Sequence, residues 1–223
     1  LVDFPYTFKG KNRVTANKWD LPVDIERFFE LASQLLTDDG CIALTATNPF
    51  SAYVVNKIIE MDGDKKYKDI DLVNFKYEWI WEKDNGTNAP NVNYQPFRIH
   101  EYIFIFGKGR VTNGTRIPMK YNPQKTDGIP YKQKSGRISE NWKGGLKNIV
   151  TDNKDGKRHP KTIQKFIRDK GKLHPTQKPV ALCEYLIKTY TNEGDTVLDN
   201  CMGSGSTIVA CINTNRKYIG IEK

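Results

Sequence analysis

The residues best suited to chemistry stand near the two ends of the chain. Val197-Leu198-Asp199-Asn200-Cys201-Met202-Gly203-Ser204-Gly205-Ser206-Thr207 reads as a buried strand ending in an acid, then a Gly-Ser-Gly turn, then the start of a helix. Glycine lets backbone approach a ligand closely, and a helix N-terminus presents unbonded N–H groups. The next strand ends at Glu222, where an acid can accept hydrogen bonds from ribose hydroxyls. Strand, acid, turn, helix, strand and acid in that order point to a nucleoside ligand. A tight turn in a nucleotide-free α/β protein is the alternative. The turn is not a P-loop, because no Gly-Lys-Ser/Thr follows. It is not the dinucleotide fingerprint either, because Val209 stands where a third small residue belongs.

Two further segments carry polar groups in stiff surroundings. Asp3-Phe4-Pro5-Tyr6 follows a short apolar strand, so an acid and an aromatic ring meet at a sheet edge. Such a pair suits a flat polar ring, which stacks on Tyr6 while Asp3 accepts a hydrogen bond. A strand-ending turn with a core tyrosine has the same pattern. In His174-Pro175-Thr176-Gln177-Lys178-Pro179, two prolines stiffen the approach to a helix and Lys178 can reach a carboxylate. An ordinary proline-delimited helix start reads the same way.

The elements that must hold these segments alternate. Ile25, Phe28, Phe29, Ala32, Leu35 and Leu36 recur at helical spacing, with Gly40 where a C-cap belongs. A strand is expected at 41–45, a helix at 51–61, and aromatic-rich strands at 75–81 and 102–106. Signals weaken from 107 to 173, which reads as an irregular, loop-rich insert. Pro179 opens a helix as its first residue, followed by strand 196–199, helix 206–213 and strand 217–221. This alternation implies a three-layer α/β sheet. The expected organisation is 1–107 and 173–223 as two halves of one domain, with 108–172 as the insert. Leu1-Val2-Asp3 and the final strand both look interior to a fold, so the protein is expected to extend beyond at least one end.

Composition narrows the classes. Of 223 residues, 38% are hydrophobic, and ten Phe, eleven Tyr and four Trp supply bulk for a core, which argues against a disordered chain. No apolar run is long enough for a membrane span, and the opening residues are not a basic-then-apolar leader, so secretion is not expected. Four cysteines without a C-x-x-C pair and three dispersed histidines give no metal site, and reduced cytosolic thiols are the simpler reading. Residues 108–178 hold 19 basic and 5 acidic side chains, whereas the rest of the chain nets −5. A basic insert on an acidic body suggests a polyanion partner, though a lysine-rich soluble surface has the same composition.

Taken in order, the three segments resemble the β-class amino DNA methyltransferases that use S-adenosylmethionine (SAM). In that family a D-P-P-Y segment comes first, then a target-recognition region, then H-P-T-Q-K-P and a strand–D-x-F-x-G-S-G-T–helix unit. Here these are Asp3 to Tyr6, the basic insert, His174 to Pro179, and Asp199 to Thr207. The stretch 172–222 matches almost continuously, and Lys83 and His100-Glu101 also look familial. The departures are Phe4 for Pro, Asn200 for Pro, Cys201 for Phe and Ser206 for Thr. At the second position the family uses a backbone carbonyl, which Phe4 retains. Cys201 thins the wall against the cofactor's adenine.

The resemblance implies a Rossmann-like methyltransferase fold, α/β/α with a mostly parallel sheet and circularly permuted motif order. It implies transfer of a methyl group from SAM to the exocyclic 6-amino group of adenine, flipped out of a specific DNA sequence. Asp3, Phe4, Pro5 and Tyr6 form the implied catalytic motif. His174, Thr176, Lys178, Asp199, Cys201, Gly203, Gly205, Thr207 and Glu222 are the implied cofactor residues. Double-stranded DNA is the implied partner, with Arg110, Arg116, Lys120, Arg137, Lys157 and Arg158 of the insert as candidate contacts. A bacterial or phage protein of the cytoplasm is expected, compatible with a homodimer and with a cognate restriction endonuclease that need not bind it. The 4-amino group of cytosine and a catalytically inactive DNA-binding module are the alternatives. Cys201 lies in the cofactor turn and is not expected to act as a nucleophile.

Overall fold

The computed structural model describes residues 1–7, 21–112, 116–134, 150–171 and 176–222. In chain order they form α1 (Ile25–Leu35), β1 (Cys41–Ala46), α2 (Phe50–Asp62), β2 (Asn74–Glu82), β3 (His100–Gly107), β4 (Tyr131–Lys134), β5 (Val150–Asn153), β6 (Ile163–Lys165), α3 (Val180–Tyr190), β7 (Thr196–Asp199), α4 (Ser206–Asn213) and β8 (Lys217–Gly220). Two expected helix ends differ. α1 is closed by Leu36, which leaves the helix in an extended conformation with its N–H on the Ala32 carbonyl; Gly40 instead shapes the turn before β1. Pro179 caps α3 from outside rather than opening it, because its ψ is extended. The α3 N-terminus is satisfied by the Asp169 carboxylate, 3.0 Å from the Val180 nitrogen.

The strands assemble mostly in one direction. β7 and β8 pair in parallel, and Val2 forms a parallel bridge with Leu44 of β1. The Leu1 amine donates to the Leu198 carbonyl at 2.9 Å, which sets the opening residues between β7 and β1. β3 runs against both β1 and β2, so those two share a direction, and β6 adds to β2 in parallel. This topology carries Asp3, Thr47, Lys83 and Asp199 to one edge, the C-terminal edge of the parallel strands. β3 starts at that edge, with His100 opposite Glu82 and Tyr102 opposite Ala46.

Alternation along the strands produces the layers. Ile42, Leu44, Ala46, Phe104 and Phe106 share a core with Phe29 of α1 and Phe50, Val54 and Ile58 of α2. Ala43, Ile103, Ile105, Trp79 and Trp81 point the other way, into Leu182, Leu186 and Tyr190 of α3. Cys183 and Ile187 on α3 pack with Val197 of β7 and with Ala210 and Cys211 of α4. Each fully buried large side chain contributes about 1.5–3 kcal/mol through removal of apolar surface from water. The result is the Rossmann-like α/β/α architecture. Among the described residues no helix is long and apolar enough to cross a membrane.

The insert is smaller than its composition suggests. Pro123–Lys161 form a compact unit of their own, and 108–122 and 162–171 belong to the larger unit. Met119 is buried in the core beside α3, the Asn122 N–H donates to the Thr189 carbonyl, and β6 extends the sheet. Within the small unit, β4 and β5 form an exposed antiparallel ribbon. Arg158 ties it together: its guanidinium donates to the carbonyls of Gly156 (2.7 Å) and Ile129 and lies 4.6 Å from the Tyr131 ring centre.

Candidate active site

One cavity of about 490 Å³ opens at the C-terminal edge of the sheet. The ends of several strands supply its walls, as expected for ligand clefts in open α/β sheets. Asp3, Phe4, Pro5 and Tyr6 line it, together with Thr176, Lys178, Asp199, Cys201, Gly203, Thr207 and Glu222. Segments separated by most of the chain therefore meet in one crevice. Gly205 sits behind this wall as the residue preceding α4, with φ +78°. His174 lies outside the described residues.

The glycine turn is held by its own polar groups. Asp199 is buried and accepts the Cys201 N–H at 3.1 Å, while the Gly203 N–H donates to the Glu222 carboxylate at 2.7 Å. Burial pushes the Cys201 thiol up to about 12, so it is neutral near pH 7.

The opposite wall is a charged network at the end of an apolar face. The strand residues that face α3 run Ala43, Ile103, Ile105, Trp79 and Trp81, and at the cavity edge they give way to Thr45, Glu101 and Lys83. The Lys178 ammonium lies 2.6 Å from Asp3 Oδ2 and 3.5 Å from Glu101 Oε2. Lys83 pairs with the other Glu101 oxygen, and Thr45 donates to Asp3 Oδ1. The Tyr6 hydroxyl donates to Glu101 at 3.1 Å, and its ring stacks on Phe50 at 5.6 Å between centres.

The network's electrostatics are set by burial against pairing. Burial lowers the affinity of Lys178 for its proton, yet the Asp3 and Glu101 carboxylates outweigh it and hold the ammonium well above its ordinary value. Burial likewise raises Glu101, but Lys178 and Lys83 overcome it and hold the carboxyl below the usual range. Burial, Glu101 and Asp3 push Tyr6 well above an ordinary phenol against the pull of Lys178, so its hydroxyl stays a donor. Phe4 turns its ring into the core, edge-on to Phe28 at 4.8 Å, which accounts for a bulky residue at that position.

Glu101, Lys83, Thr45, Arg98 and Arg168 also belong to the cavity, although sequence reasoning placed none of them there. The available signal was a charged residue in phase with Ile103 and Ile105 on β3, and another in phase with Trp79 and Trp81 on β2.

The DNA-contact candidates are not brought to this cavity as a group. Arg110 and Arg116 border a separate groove with Asp38 and Asp71, beyond the Gly107 end of β3. Lys120 is held between Asp195 at 2.6 Å and Asp39 at 3.4 Å. Because β3 is antiparallel, the chain after Gly107 emerges at the sheet edge opposite the cavity, where Gly107 pairs with Cys41. These three residues therefore stand away from the cavity. Lys157 is paired with Asp127, and Arg158 braces its own unit. Arg137 lies outside the described residues.

A three-layer sheet with an acid-and-glycine turn at its C-terminal edge defines the class of Rossmann-like methyltransferases. The chain belongs to the N6/N4 methyltransferase family, described as DNA methylase, whose profile matches residues 7–223. Among curated proteins it is similar to the Type II methyltransferase M.HpaI of Haemophilus parainfluenzae, 53% identical over 229 aligned positions, spanning all of this chain and 62% of that protein. The Type II methyltransferase M2.MboI of Moraxella bovis is 27% identical over 222 positions, covering 89% of this chain and 76% of the relative. The orphan methyltransferase M.BamHII of Bacillus amyloliquefaciens is 35% identical over 148 positions, with 64% and 55% covered. The chain thus spans between about half and three quarters of these relatives. Among solved structures, the M1.HpyAVI–SAM complex superposes with a TM-score of 0.58 at 23% identity, covering 100% of this chain and 80% of that one. The PvuII DNA methyltransferase (cytosine-N4-specific) gives 0.59 at 15%, with 100% and 73% covered.

Proposed function

We propose that the protein transfers a methyl group from SAM to the 6-amino group of an adenine flipped out of double-stranded DNA. The observation that supports this most directly is the single cavity shared by the Asp3 turn and the glycine turn. Its volume, about 490 Å³, suits a nucleoside-sized ligand.

The residues present fit SAM. Thr176, Lys178, Asp199, Cys201, Gly203 and Thr207 are the proposed holding residues, with Glu222 toward the ribose and Gly205 shaping the turn behind them. Bound there, SAM supplies an activated methyl on a sulfonium. An adenine amine is a weak nucleophile because its lone pair is delocalised into the ring. Hydrogen bonds from the amine to the Asp3 carboxylate and the Phe4 carbonyl favour a pyramidal nitrogen whose lone pair faces the methyl group. Bound SAM would supply the methyl with the electron pair of its carbon–sulfur bond left on sulfur, and Asp3 would orient the attacking amine and pass its surplus proton toward solvent. Pro5 holds the turn, and Tyr6 offers a ring to the base. Pre-positioning of both reactants carries most of the rate enhancement. The basic residues of Pro123–Lys161 are the proposed phosphate contacts of the small unit, and their binding falls steeply with salt.

The test is mass spectrometry of DNA nucleosides after incubation with SAM and protein. N6-methyladenine is expected, and it disappears in Asp3→Ala while duplex binding persists. N4-methylcytosine instead would move the assignment to the other amine. Methylation that survives Asp3→Ala would remove Asp3 from the role.

A further inference from the structure

We propose that residues 84–99, which link β2 to β3, are a duplex-contacting loop, with Tyr94 meeting the bases and Arg98 a phosphate. This rests on the reading of the cavity as a DNA-base site and adds where the surrounding duplex lies.

A base enters through the cavity mouth, so the duplex must cover the C-terminal edge of the sheet. By register, Arg110, Arg116 and Lys120 lie away from that edge. Five residue steps separate the Tyr102–Ala46 pair from the Gly107–Cys41 pair, which at about 3.3 Å each puts those side chains roughly 17 Å or more away. The β2–β3 connection lies at the correct edge, and Thr87 and Arg98 from it line the cavity.

The loop's surface is unusual for an exposed connection. Residues 91–99 are all exposed, with Tyr94 at 90%, Val92 at 47%, and Phe97 and Ile99 at 42%. The segment holds four asparagines, a glutamine and only two charges, Asp84 and Arg98. Asp84 is neutralised by Arg168 at 2.8 Å, so no bare acid faces an approaching phosphate from this loop. Amides that read base edges, an aromatic ring that stacks and a cation suit nucleic acid better than a protein partner.

The loop is also braced. Asn88 donates to the Pro96 carbonyl at 3.0 Å and accepts the Arg98 N–H at 2.7 Å, and the Thr87 N–H donates to the Arg98 carbonyl at 3.3 Å. Phe97 lies so close to Gly86 that a Cβ there would clash with its ring. Tyr94 is therefore presented outward from a stitched frame, at little ordering cost on binding.

The test compares Tyr94→Ala, Tyr94→Phe and Arg98→Ala with the parent chain, by fluorescence anisotropy on a duplex and calorimetric titration with SAM. Tyr94→Ala is expected to weaken duplex binding roughly tenfold, Tyr94→Phe to stay close to the parent, and SAM affinity to stay unchanged in both Tyr94 variants, whose side chain lies outside the cavity lining. Arg98→Ala is expected to lower the salt dependence of binding by about one phosphate contact. Duplex affinity unchanged in Tyr94→Ala, or a change only in self-association by light scattering, overturns the proposal. If the parent methylates DNA while Tyr94→Ala binds it equally well, this loop assignment falls alone. If the parent binds no duplex, the underlying reading falls with it.

Discussion

Lys178 holds its ammonium 2.6 Å from the Oδ2 of Asp3, so the acceptor proposed for the target amine is already occupied by a cation. Glu101 lies 3.5 Å from the same ammonium and offers it a second partner. Lys178→Met therefore strips a cation from two carboxylates at once. Breaking a fully buried pair costs about 3–5 kcal/mol. Here Asp3 is 27% exposed, so about 2–3 kcal/mol is the expected loss after allowing for solvent screening. Denaturant unfolding measures it. The double variant Lys178→Met/Asp3→Ala is expected to be less destabilised than the two single losses combined, because the unpaired carboxylate is gone.

The same network predicts where pH matters. Burial pulls Glu101 upward, but Lys178 and Lys83 win and hold it low. A carboxyl depressed in the folded state stabilises fully above its unfolded value, about 4.3, and that stability is lost as pH falls through the folded value. Lys178 is raised, so its contribution is complete below its unfolded value of about 10.4 and is lost as pH climbs through the folded value. Unfolding free energy should thus decline on the acid side below about pH 4, and Glu101→Gln should flatten that limb. Between about pH 6 and 9 the charges of Glu101 and Lys178 are fixed. An inflection in methyl-transfer rate within that window that disappears in Glu101→Gln would contradict this picture.

Local and distant features differed in how readily they could be read. β7, the glycine turn, α4 and β8 are contiguous, and their bounds follow from short-range apolar pattern and turn chemistry to within a residue. The meeting of Asp3 with that turn spans almost the whole chain, and only the resemblance of the motif order suggested it. Glu101 and Lys83 are legible as familial residues of aromatic strands, yet their place in the cavity depends on which strand ends lie side by side. Charge counting could not place Arg110, Arg116 and Lys120 within the fold for a related reason. Composition records no direction, and the reversal of β3 carries those residues to the far edge of the sheet. Tyr94 and Arg98 give no sequence signal, because a loop of amides has neither periodicity nor net charge.

Cys201 separates a structural thiol from a reactive one. Burial pushes it to about 12, beside Asp199 and Asp3, which oppose a second negative charge. Iodoacetamide at about pH 8 should label it far more slowly than a free thiol near its ordinary value of about 8.5. Cys201→Ser should keep methyl transfer within a few-fold of the parent, as read by the same nucleoside analysis. Loss of transfer with SAM affinity intact would give the thiol a role in the reaction that its electrostatics do not support.

The turn before α4 allows backbone strain to be separated from damage to the site. Gly205 has φ +78°, and nothing lies within 4 Å of a Cβ built on it, so alanine there meets no neighbour and pays only for the left-handed backbone. That strain is about 1–2 kcal/mol. Gly171 has φ +73° and equally open space; neither glycine lines the cavity, but Gly205 stands between the lining residues Ser204 and Ser206, whereas no described chain neighbour of Gly171 lines it. Gly205→Ala and Gly171→Ala are therefore expected to lower unfolding free energy by similar amounts. Their effects on SAM should diverge. Relaxing Gly205 toward a right-handed backbone reorients the Gly203–Ser204 segment that faces the cavity, and roughly tenfold weaker SAM binding is expected, equivalent to about 1.4 kcal/mol. Gly171→Ala should bind SAM like the parent. Equal SAM affinity in both variants would mean that the turn tolerates alanine without disturbing the wall, and that the cofactor is held elsewhere.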